Sequence, residues 1–221
     1  MYTLYPVETS LPSHPLHDAL QTVRTLRRSL LQNERFKGWS GPTRILSGTL
    51  ALIAALLLES NVIPESNAAH LITWAIVFMA AMLFNLSALV YWFLNDKMIQ
   101  KDITRLKPIL DVIPPLAVGA LFTFVLLLRR DLDSLFGVWM CMFGLTNLAS
   151  RYVLPSAISL VGVFYILAGA LCLLLPEITF LHSLAMGLVF CAGEWAGGTI
   201  LYLDDRRYAA FSRQFSMTDP E

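Results

Sequence analysis

Glu194 stands in the stretch Gly193-Glu194-Trp195-Ala196-Gly197-Gly198, ten residues ahead of Asp204 and inside an otherwise apolar run. Along a helix that distance is about 15 Å. An ionised carboxylate so deep in a membrane costs about 2.5–3.5 kcal/mol on insertion scales unless it faces protein or a water-lined interior. Two kinds of chemistry fit. The carboxyl can take up and release a proton or cation, or it can stay neutral, the form burial favours, hydrogen-bonded to a neighbouring helix. Gly193, Gly197 and Gly198 would admit that neighbour, because small residues let helix backbones approach.

Other polar residues share these surroundings. Asn85 lies ten residues before Asn95, a depth like that of Glu194, and Asn147 lies nearer the same boundary. Asp111 follows Lys107 by four residues and precedes Pro114-Pro115. A proline pair removes two backbone donors, so Pro114 and Pro115 kink the helix or start it afresh. Together Asn85, Asp111, Asn147 and Glu194 could form a polar cluster in the inner half of the bundle. A plainer reading puts Asp111 at the interface, paired with a base such as Arg151, and gives the asparagines ordinary helix–helix hydrogen bonds. His70 and His182 begin two apolar runs at one expected height. Two such histidines could ligate a b-type haem, although interfacial histidines need no ligand. No other metal ligation is indicated and no cofactor is expected.

These residues must be carried by membrane helices. Of 221 residues, 56% are hydrophobic and 14% charged, whereas a water-soluble domain carries about 25% charged. That excludes a soluble globule and a disordered chain and leaves an integral membrane protein. Uncharged runs place six spans at about 43–61, 70–95, 108–128, 134–150, 152–176 and 178–203. Crossing a core of about 30 Å takes about 20 residues. The first run, Ile45–Leu58, has only 14, so it spans only if Arg44 snorkels outward and the helix extends toward Asn61. With both termini cytoplasmic, fourteen of the sixteen Lys and Arg fall inside and only Arg129 and Arg130 outside, as the positive-inside rule requires. Trp39, Tyr91, Trp92 and Tyr202 sit at the same boundary, where amphipathic rings favour headgroup depth.

The fold expected is all-α: a six-helix transmembrane domain over 43–203 built as three hairpins, between cytoplasmic segments 1–42 and 204–221. The first, third and fifth spans each hold a glycine before a leucine-rich run, at Gly48, Gly119 and Gly162. The second and sixth share residues at a constant offset, such as His70 with His182 and Phe78 with Phe190, a pattern of internal repetition. In outline the plan resembles HdeD-type acid-resistance membrane proteins, by the number and pairing of spans rather than by any motif.

In the amino-terminal segment, Leu16, Ala19, Val23, Leu26 and Leu30 form one helical stripe, expected as an amphipathic helix over about 15–37. Ser13 and Pro15 suit its start, and Gly38, Gly41 and Pro42 its end. Arg24, Arg27, Arg28 and Arg35 lie off the stripe and would meet anionic lipid headgroups. The alternative is a docking helix for a cytoplasmic protein partner or a second copy. Balanced charge, sixteen basic against sixteen acidic residues, points to no nucleic-acid partner. Cys141, Cys172 and Cys191 have no paired spacing and read as apolar filler. Phosphate loops, dinucleotide fingerprints, zinc helices and nucleophile elbows are missing, so no enzyme is expected. Two functions remain: a structural, regulatory or stress-related membrane component, or a small proton- or cation-coupled transporter or channel using Glu194.

Overall fold

The computed structural model describes residues 38–60, 62–95, 107–175 and 177–218. All lie in the compact unit Phe36–Glu221. The expected interfacial helix over 15–37, with Arg24, Arg27, Arg28 and Arg35, falls outside the described residues, as do Lys97, Lys101 and Arg105. Among the described residues there are helices and turns and no strand.

The main helices are α1 (Gly41–Glu59), α2 (Asn67–Asn95), α3 (Ile113–Arg129), α4 (Leu135–Ala149), α5 (Ile158–Leu174) and α6 (Ser183–Thr218). Three of them, α1, α2 and α6 up to Ala210, are long and apolar enough to cross a membrane. α3 and α5 are apolar but shorter, at 17 residues each, and α4 has 15. Local sequence sets the ends. Pro42 lies in the first turn of α1, where a missing N–H is harmless. Pro114 and Pro115 likewise open α3, after a separate turn at Lys107–Leu110. α3 closes on Arg130 in the left-handed region, φ 58°. The helix expected to end at 203 continues as α6 through Asp204-Asp205-Arg206-Arg207 to Thr218. No Gly or Pro stands in that stretch to stop it.

The closest packing joins α1 with α6 and α4 with α5. Consecutive helices α1–α2, α3–α4 and α5–α6 also touch, though less extensively. Read by neighbours, the helices follow the order α2, α1, α6, α5, α4, α3. The two tight pairs are antiparallel and glycine-lined. Along α1, Gly41 meets Gly198 and Tyr202, Gly48 meets Glu194, and Ala51 and Ala55 meet Gly187. Across α4 and α5, Gly137 meets Gly169 and Gly144 meets Gly162. A Cβ on Gly144 would stand 2.7 Å from the Gly162 carbonyl oxygen, so the backbones themselves form the contact. At the far end, Trp74 of α2 packs edge-on against Phe136 of α4, with the Phe180 ring tilted against Phe136 at 4.9 Å between ring centres.

Candidate functional site

The close approach of α1 and α6 decides what surrounds Glu194. Arg44 sits on the fourth position of α1 and is buried, 7% exposed; Glu194 is 4% exposed. Arg44 Nε donates to Glu194 Oε2 at 3.0 Å and Arg44 Nη2 donates to Oε1 at 2.7 Å. This two-point geometry matches the planar fork of a guanidinium to both carboxylate oxygens. Nη2 also donates to Asn147 Oδ1 of α4 at 3.0 Å. The Asn147 amide is held in turn, its Nδ2 donating to the Phe143 carbonyl at 2.9 Å. From α5, the Tyr165 hydroxyl lies 3.2 Å from Glu194 Oε1 and 3.3 Å from the Phe190 carbonyl, with one proton to donate. Four helices thus converge on one charge pair.

Glycines make the room. A Cβ on Gly197 would fall 2.7 Å from Arg44 Cζ, and one on Gly193 would fall 2.3 Å from Tyr165 Cζ. Gly198 serves the backbone contact with Gly41 instead. Around the polar centre, Phe143, Tyr165 and Phe190 pack with ring centres 5.1–5.2 Å apart. The result is an ion pair in which both carboxylate oxygens accept from protein donors and whose walls are backbone and rings.

Glu194 and Asn147 are therefore brought together, but through Arg44, which the sequence placed at the membrane boundary as a snorkelling residue. Its side chain instead turns into the bundle. Of the two readings of Glu194, contact with a neighbouring helix is what the geometry displays, in the form of a salt bridge to Arg44. Asn85 stands beside this network. Its Oδ1 accepts from Thr43 Oγ1 at 3.2 Å, its Nδ2 donates to the Ala81 carbonyl at 2.8 Å, and Ser47 Oγ is 3.5 Å away. Asp111 is not part of the cluster: it is exposed on the turn before α3. Arg151, offered as its partner, lies over the Tyr152 ring and hydrogen-bonds the Tyr152 hydroxyl.

His70 and His182 have separate local partners. The buried His70 places Nδ1 3.0 Å from the Ser66 carbonyl, whereas the exposed His182 places Nδ1 2.9 Å from Thr179 Oγ1. Among the described residues no group of three or more His, Cys, Asp or Glu is placed to hold a metal ion. Cys141, Cys172 and Cys191 are free thiols. An open groove on the outer face of α2, lined by Ile72, Ala75, Ile76, Met79, Ala80 and Leu83, is wholly apolar.

Tyr165 and Arg44 are the members that the sequence reading passed over. An arginine close to a run too short to span, facing a lone glutamate in another span, was the available signal for Arg44. Tyr165 offered none, since a tyrosine in an apolar run reads as bulk. No family model matches this chain, and neither does any curated protein or any solved structure.

Proposed function

We propose that the chain is a six-span integral membrane protein with both termini cytoplasmic, acting as a non-catalytic structural or regulatory membrane component. In this reading the Arg44–Glu194 pair holds helices together and moves neither protons nor cations. One observation carries it: both Glu194 oxygens already accept from Arg44, which also donates to Asn147, and the Tyr165 hydroxyl lies 3.2 Å from Glu194 Oε1. Both carboxylate oxygens are already bonded to Arg44, so loading a cation there would first have to break that contact. The antiparallel run of α1 against α6 suits two spans crossing in opposite directions, as six spans with both ends inside demand. Apolar outer faces such as that of α2 would meet lipid, and the basic cytoplasmic segments would meet anionic headgroups or a protein partner.

Flux across liposomes holding the purified protein tests this. We expect proton and cation fluxes equal to those of empty liposomes, both for the unaltered chain and for Glu194→Gln. A pH-dependent flux that Glu194→Gln abolishes would overturn the reading in favour of a proton- or cation-coupled transporter.

A further inference from the structure

The pair joins residues 150 positions apart, on the first and last of the main helices. That separation matters because α1 carries a buried arginine within the segment that would cross. Its uncharged run, Ile45–Leu58, has 14 residues, and the helix reaches 19 only by including Gly41–Arg44 at one end and Glu59 at the other. A 14-residue run falls short of a hydrocarbon core, and an unpaired arginine inside a span is strongly disfavoured. Within the bundle Arg44 meets no such penalty. Gly197 leaves space for the guanidinium, and Glu194 supplies the opposite charge.

We propose that Glu194 is the residue that lets α1 cross: the first span is completed only when α6 arrives to neutralise Arg44. The inference rests on the membrane-spanning reading above. It adds an order of events, with α1 held at the surface, Arg44 outward, until the last span is present. Gly41, Gly48 and Ala55, spaced by seven on the face toward α6, then dock α1 against that helix at backbone distance. The charge is the obstacle in this scheme, so removing it from α1 should free α1 of its need for α6.

Two single-cysteine reporters test the order in the full chain with Cys141, Cys172 and Cys191 replaced by alanine. One is Ser10→Cys before α1, the other Val62→Cys in the exposed connection after it. Labelling with a membrane-impermeant maleimide on intact cells reads which side each occupies. The unaltered background should label the Val62→Cys reporter more than about tenfold faster than the Ser10→Cys reporter, given the size of the insertion preference. Adding Glu194→Leu should bring the ratio close to one, both reporters on one side. Adding Arg44→Leu together with Glu194→Leu should restore the original ratio, showing that the first variant failed through charge and not through folding. A ratio that Glu194→Leu leaves unchanged overturns the inference, and so does a double variant that does not recover. Equal labelling already in the unaltered background would instead overturn the crossing of α1 itself.

Discussion

A guanidinium and a carboxylate in a low-dielectric interior neutralise one another only while both are present. Removing either leaves a buried charge without its partner, which costs about 3–5 kcal/mol, whereas replacing both by apolar groups of similar volume is often neutral or better. Arg44→Ala and Glu194→Ala should therefore each lower the thermal unfolding midpoint of the purified protein sharply. The joint substitution to leucine should recover most of the loss in the same measurement. Tyr165→Phe removes one hydroxyl from the Glu194 shell and should cost about 1.5–3 kcal/mol, the range for hydrogen bonds to charged groups. Glu194 was legible in the sequence because it is the lone charge in a long apolar run. Arg44 was not, because it stands two residues after Pro42 among the arginines of the preceding segment, where boundary and interior look alike. Asp111 has two readings in the sequence, and its exposed position agrees with the plainer one, outside the cluster. It lies between residues that read as one span, but the proline pair opens a new helix and leaves it on an exposed turn.

Helices without a strong hydrophobic drive toward one another associate by close packing of small faces. In α4 and α5 the glycines are spaced by seven, Gly137 with Gly144 and Gly162 with Gly169, and each meets its counterpart on the other helix. Gly144→Ala would push a methyl group to 2.7 Å from the Gly162 carbonyl. Backbone cannot yield as a side chain can, so a loss of about 1–3 kcal/mol is expected. Gly119→Ala is the contrast, because its nearest neighbour is the Met142 side chain at 3.4 Å. There the gain in helix propensity, about 1 kcal/mol, should leave the protein as stable or more so. Unfolding of the two variants in parallel checks both. The seven-residue spacing could be read from the sequence, and the helical class followed from composition. Which helix would be whose main neighbour could not. Short connections suggest hairpins, yet α1 lies most closely on α6, since complementary small faces rather than chain adjacency decide the approach.

At the scale of the molecule, α2 and α3 follow one another in the chain but stand at opposite ends of the neighbour order. Each leans mainly on one helix, α2 on α1 and α3 on α4, and α3 contains no fully buried residue. The stretch that links them, 96–106, thus joins two outer helices, while the tight interfaces all lie among α1, α6, α5 and α4. Severing the chain there should leave those interfaces with their full sets of residues. Co-expressed as separate polypeptides, residues 1–100 and 101–221 should find each other in the membrane and co-purify as a stable pair. The same halves carrying Glu194→Ala should not, because the larger piece would then lack the charge that retains the smaller. The chain would behave as two complementary fragments, and peptide continuity between them would be dispensable to recognition.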